Sequence, residues 1–156
     1  MRGHVAAVAQ ESAQLQALLS GSREDPGTGE IVWPADGRVL LRFGLLWGSR
    51  HPGIDIAIRS GTAVHAADWG KVKFSGRMGG YGKLVCVQHT QDLSTCYGQL
   101  SKIRVSEGDR VDSGEVIARS GCTGRCYADH LHFEVRENGR PQSPRQFLGP
   151  PLSAID

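Results

Sequence analysis

Residues 130–135 read His-Leu-His-Phe-Glu-Val, a strict alternation of polar and apolar side chains that suits an extended strand. On such a strand His130, His132 and Glu134 share one face, while Leu131, Phe133 and Val135 share the other. The apolar face needs a core to lie on, so two imidazoles are presented together to whatever stands opposite. Short apolar or alternating runs recur at 31–33, 39–43, 54–57, 63–66, 71–75, 84–89, 95–100 and 115–120. Turn signals separate them, including Pro34-Ala35-Asp36-Gly37, Gly79-Gly80, Asp112-Ser113-Gly114 and Asn138-Gly139. The 21 glycines and 7 prolines suit so many tight turns. The pattern predicts an all-β domain whose antiparallel sheets form an open barrel or sandwich with a groove.

One helix is expected ahead of that domain. Val5, Val8, Leu15 and Leu19 follow steps of three and four, with Ser12 interrupting the stripe. The division expected is a helix in 1–20, a linker in 21–29 (Gly-Ser-Arg-Glu-Asp-Pro-Gly-Thr-Gly) and one domain in 30–150. A stripe this short suits docking on the domain, the end of a longer stalk, or contact with a protein partner. A formal charge of +2 with scattered basic residues argues against nucleic acid as a partner. No apolar run approaches the roughly 18–20 residues of a bilayer span, so no transmembrane segment is expected. The Ala/Val patch at 5–9 is broken by Gln10 and Glu11, so the signal of an exported protein would lie outside this sequence.

Cys86, Cys96, Cys122 and Cys126 allow two disulfides or a thiolate metal site. Three residues separate Cys122 from Cys126, unlike the usual two of a zinc knuckle, and no second such pair exists. Disulfides are the favoured reading. Of the three connectivities the preferred one pairs Cys122 with Cys126, leaving Cys86 and Cys96 on facing strands of a hairpin.

His51-Pro52-Gly53-Ile54-Asp55 adds a third imidazole and a carboxylate. Between Ile54 and Ile56, Asp55 points away from the core. Two histidines and a carboxylate can make the open three-ligand site of a catalytic zinc, with water in the fourth position. Other residues have plainer readings. His65 and His89 suit structural or surface roles, and His4 sits in an unanchored terminus. Glu134 would orient a ligand or line the groove, Tyr97 would touch substrate or core, and Trp47 would line a cleft or cover the core.

Together these segments resemble the lysostaphin-type (LytM-like) metallo-endopeptidases of peptidoglycan, which carry His-x-x-x-Asp and a His-x-His strand. Residues 31–148 share the likeness. Trp33-Pro34-Ala35-Asp36-Gly37, Ala66-Ala67-Asp68-Trp69-Gly70-Lys71-Val72, Gly108-Asp109-Arg110-Val111 and Gly114-Glu115-Val116-Ile117 contribute to it. The resemblance implies a zinc ion held by His51, Asp55 and His132, with His130 as an unligated catalytic histidine beside the zinc-bound water. It also implies peptidoglycan peptides as substrate and a place in the cell envelope or outside the cell.

Two departures stand out. The family's Tyr-x-His-Leu segment reads Tyr97-Gly98-Gln99-Leu100, so Gln99 stands where a second catalytic histidine is expected, beside His130. An amide can donate a hydrogen bond to an oxyanion but cannot move a proton near neutral pH. Ala128-Asp129 replaces a frequent Gly-Pro, and the added charge is expected to raise the pKa of His130. Two functional readings follow from the resemblance: a zinc endopeptidase weakened at position 99, or a degenerate zinc-binding module that binds peptidoglycan or a partner protein. A third, a biotinyl or lipoyl carrier suggested by residues 108–118, lacks the displayed lysine it would need.

Overall fold

The computed structural model of the protein describes the backbone of residues 2–46 and 49–150, and the side chains of 11–44 and 51–150. Among the described residues a helix, α1 (Arg2–Leu19), precedes thirteen short strands. These are β1 (Arg38–Leu41), β2 (Gly44–Leu46), β3 (Ser49–His51), β4 (Ile54–Ala57), β5 (Ala63–His65), β6 (Gly70–Met78) and β7 (Gly82–Gln88). β8 (Leu93–Leu100), β9 (Lys102–Ile103), β10 (Arg110–Val111), β11 (Val116–Arg119), β12 (Leu131–Glu137) and β13 (Arg140–Gln142) complete them. The main sheet runs β1-β4-β12-β8-β7-β6-β10, with β13 paired to β12, and smaller sheets are β5-β11-β9 and β2-β3. Among the described residues every pairing is antiparallel and no barrel closes.

The main sheet buries both faces at its centre. From β7, Val85 and Val87 enter the principal core with Ile54, Ile56, Leu131, Phe133 and Val135. Leu84 and Cys86 point the other way, into a second core with Leu15 and Leu19 of α1 and Tyr81. The amphipathic stripe of α1 therefore closes over the second face of the sheet, and Leu15 and Leu19 are almost wholly buried there. Val5, Val8 and His4 lie outside the described side chains. Part of the expected linker is also fixed: the amides of Thr28 and Gly29 donate to Asp68, and that of Gly27 to the carbonyl of His89.

Both disulfides take the preferred pairing. Cys86 faces Cys96 across β7 and β8, and Cys122 joins Cys126 in the loop before β12. The β12–β13 turn is Asn138-Gly139, both at positive φ, which is the chemistry a two-residue hairpin demands. Two local expectations fail. Residues 31–33 form no strand; Val32 makes a single backbone bond to Ala67, and the Trp33 indole donates to Gly149. Residues 49–51, outside every run expected as strand, pair with β2 as strand β3.

Candidate metal centre

Two antiparallel neighbours, β4 and β12, and the end of β3 build the centre. β4 lies beside β12 with Asp55 opposite His132, so the carboxylate and imidazole leave the same face of the sheet at adjacent positions. His51 ends β3 and reaches Asp55 by a tight turn through Gly53. A β-carbon at Gly53 would collide with the Phe133 carbonyl, so only glycine lets this segment lie so close to β12.

His51, Asp55 and His132 bring three ligand atoms within 4.8 Å of one another. Asp55 Oδ1 lies 3.3 Å from His51 Nε2 and 2.9 Å from His132 Nδ1. Tetrahedral zinc with bonds of about 2.0 Å needs donors roughly 3.3 Å apart, so the spacing and the donor chemistry both fit that ion. The opposite side of each ligand is also held. His51 Nδ1 meets the Arg42 carbonyl at 2.9 Å, and His132 Nε2 meets Glu134 Oε2 at 2.7 Å. The Tyr127 hydroxyl donates to Asp55 Oδ2 at 3.0 Å. Acceptors on the far ring nitrogens fix tautomer and orientation, as metal-binding histidines require. The structure thus brings the three expected ligands together and gives each an outer partner.

His130 faces the same carboxylate, with Nε2 3.5 Å from Asp55 Oδ2 and Nδ1 2.6 Å from the Ala128 carbonyl. The carbonyl selects the tautomer with the proton on Nδ1, which turns the Nε2 lone pair toward the centre. The Tyr127 ring stacks on His130 with centroids 5.1 Å apart. Asp129 does not act on His130 as expected: its side chain is turned to the Ser60 amide, and burial holds the His130 pKa below the ordinary histidine value.

Gln99 is as fully buried as the ligands and is held by backbone. Its amide donates to the carbonyls of Gly80 at 2.9 Å and Arg125 at 3.3 Å, and its oxygen accepts from the Gly124 amide at 2.6 Å. Two donors and one acceptor are thereby engaged by backbone. The residue holds φ 64°, a left-handed conformation costly for a side chain of this kind. These three bonds tie two loops together and offset that cost.

Charge balances within the buried centre. Burial pushes the Asp55 carboxyl up, but hydrogen bonds from His132 and His51 outweigh it and hold Asp55 well below the carboxylate range. Burial pushes His132 down, while bonds to Asp55 and Glu134 raise it to about 9. Burial raises Glu134, and the Arg136 guanidinium with the His132 bond brings it down to about 2.

Sequence reasoning missed Tyr81, Tyr127 and Arg136. Arg136 extends the face of His130, His132 and Glu134 by one more alternate position, a signal that was present. The tyrosines come from a turn and a loop, where no periodicity marks them. Tyr97 is wholly buried, its hydroxyl accepting from the Ala67 amide and pairing with Thr95, so it touches core. His89 is likewise buried between the Trp69 carbonyl and Thr95. His65 is half-buried, with Nδ1 2.9 Å from the Gly114 carbonyl. Trp47 lies outside the described residues.

Known proteins share this fold and part of this sequence. The chain is 40% identical to a lipoprotein NlpD/LppB homolog of Pseudomonas aeruginosa over 79% of its own length and 41% of the relative's. It is 46% identical to the DD-carboxypeptidase/endopeptidase Mpg of Neisseria meningitidis over 60% of this chain and 22% of that protein. It is 36% identical to the murein hydrolase activator NlpD of Escherichia coli over 74% of this chain and 30% of that one. The chain therefore spans less than half the length of these relatives. Among solved structures, a putative peptidase M23 from P. aeruginosa superposes with a TM-score of 0.78 at 31% identity, covering 92% of this chain and 61% of that one. The catalytic domain of lysostaphin from Staphylococcus simulans gives 0.67 at 31%, covering 71% and 91%. Residues 49–144 match peptidase family M23. With more than half its length matched, this chain belongs to peptidase family M23, the lysostaphin-type family.

Proposed function

We propose that the chain is a zinc-dependent endopeptidase that hydrolyses peptide bonds in bacterial cell-wall peptidoglycan. The observation that carries this reading is the complete donor set: His51, Asp55 and His132, each with a fixed outer partner. Bound there, zinc supplies a Lewis acid for the scissile carbonyl and brings a water pKa down to about 7. Arg42, Glu134 and Tyr127 hold the ligands in orientation. His130, neutral near pH 7 and with Nε2 toward the centre, accepts and returns the proton. No second imidazole stands at position 99, so one proton-transfer group of the family pattern is missing. Such a group contributes roughly 10²–10⁴ in rate, so the enzyme is slow. Two disulfides, and relatives named as a lipoprotein and a murein hydrolase activator, support a place in the cell envelope.

A second reading has its own observation. Gln99 is committed to three backbone groups, which suits a wall that has lost catalysis and binds peptidoglycan or a partner hydrolase instead. Incubation with purified sacculi separates the two. Release of peptide ends that stops with a chelator and in His130→Ala supports the endopeptidase. Binding to sacculi without release, by protein carrying zinc, supports the module.

A further inference from the structure

Arg136 ends the polar register of β12 and is wholly buried. A guanidinium has five N–H donors, and the structure gives all five an acceptor. Nε donates to Glu134 Oε1 at 2.6 Å. Nη1 donates to the carbonyls of Gly139 at 2.7 Å and Ser12 at 3.1 Å. Nη2 donates to the hydroxyls of Ser12 at 2.6 Å and Tyr81 at 3.3 Å. Two of the five acceptors therefore belong to α1. From the other side, Glu134 Oε2 accepts from the Tyr81 hydroxyl at 2.6 Å and meets His132 Nε2 at 2.7 Å. A continuous hydrogen-bonded path thus joins the helix to a candidate zinc ligand, through Ser12, Arg136, Glu134 and His132.

Independent contacts anchor the same stretch of helix. Glu11 Oε1 accepts from the Gly80 amide at 3.3 Å, in the turn that carries Tyr81 and whose carbonyl takes the Gln99 amide. Leu15 and Leu19 pack under the helix against Tyr81 and Leu84.

We infer that α1 is part of the metal centre, and that Ser12 is a positioning residue which sets zinc affinity through Arg136 and Glu134. The inference rests on the zinc reading above. Its physical basis is the choice open to a guanidinium with fewer partners. Held by Ser12 and Gly139, Arg136 gives Glu134 one bond, to Oε1, and leaves Oε2 for His132. Without the Ser12 hydroxyl, Nη2 is free to turn to Oε2 beside the Nε–Oε1 bond, completing a bidentate pair, which is the stronger arrangement. Oε2 is then drawn from His132, and the ligand loses its orienting acceptor. The helix is no detachable stalk in this account, and zinc and the docked helix stabilise one another reciprocally.

Three variants test it: Ser12→Ala, Ser12→Thr and Leu15→Ala. Zinc affinity is measured by competition with a chromophoric chelator, and ligand geometry by the visible spectrum of the Co²⁺-loaded protein. Ser12→Ala, which favours the helix itself, weakens zinc by about tenfold, the lower end of what losing such outer partners costs, and shifts the cobalt bands. Ser12→Thr keeps the hydroxyl and restores both. Leu15→Ala loosens the second core, Tyr81 included, but removes no hydrogen bond of the path, so it weakens zinc clearly less than Ser12→Ala does and leaves the cobalt bands in place. Wild-type affinity in Ser12→Ala, or an equal loss in Leu15→Ala, overturns the inference while leaving the zinc reading intact. A wild-type protein that binds no zinc overturns both.

Discussion

The metal-free protein should lose stability as the pH rises from 6.5 to 9, and His132 is the cause. Its folded-state pKa is raised to about 9 from the ordinary 6.5 by Asp55 and Glu134. A raised pKa stabilises the fold fully below the unfolded value, and that stabilisation disappears as pH climbs through the folded value. The shift corresponds to about 3 kcal/mol at roughly 1.4 kcal/mol per pH unit. The contacts that raise His132 also lower Asp55 and Glu134, so they are counted once. His130 and His89 are held below the ordinary histidine value by burial, and Tyr81 and Tyr97 are pushed up beyond the tyrosine range. Urea titrations in chelator at pH 6.5, 7.5, 8.5 and 9.5 measure the effect. With a slope of about 2 kcal/mol per molar, the midpoint should fall by about 1.5 M urea across the series. His132→Asn, which carries no proton to lose, should flatten the series. A midpoint that stays level or rises in wild type would refute the electrostatic account, as would an undiminished fall in His132→Asn.

The same proton must leave before zinc binds, so zinc affinity should rise about tenfold per pH unit between pH 6.5 and 8.5. Competition with a chelator of known pH dependence measures this, and a pH-independent affinity contradicts a protonated His132. Gln99→Ala should cost about 1–3 kcal/mol of stability through its lost loop bonds yet lower any cleavage by less than tenfold. An amide acting on the oxyanion would cost about 10²–10³ instead, so sacculus digestion with this variant decides its role. Under a mild dithiol, Cys122–Cys126 should open first, because Cys122 is exposed while Cys86 and Cys96 are wholly buried. Alkylation and peptide mapping of folded protein would contradict this by finding Cys86 or Cys96 labelled first.

The strand that carries the centre was legible because alternation is a local signal. Residues 130–136 declare which side chains share a face, and β12 has that register. The Ile54-Asp55-Ile56 alternation worked the same way, and Asn138-Gly139 announced its hairpin through the backbone angles it needs. Partners drawn from loops were not legible. Tyr127 reaches Asp55 across 72 residues of sequence, and Ser12 reaches Arg136 across 124, distances over which no periodicity operates. The hairpin of β2 and β3 was hidden by its glycines and by the shortness of both strands. Gln99 shows a different limit. The residue type was read correctly as unable to carry a proton, but its left-handed backbone and its three bonds to loop backbone depend on a bulge that only pairing reveals.

The balance of charge in the centre bears on the order of events in the life of the protein. With no metal, two buried carboxylates, Asp55 and Glu134, are met by two buried cations, protonated His132 and Arg136. The chain can therefore complete its fold with a proton as a placeholder, unlike a zinc finger, which collapses only around its ion. On the zinc reading, loading the metal would be an exchange of that proton for a cation, a step distinct from folding. On the zinc reading proposed above, such a chain would persist intact in metal-poor surroundings and take up the ion when it arrives.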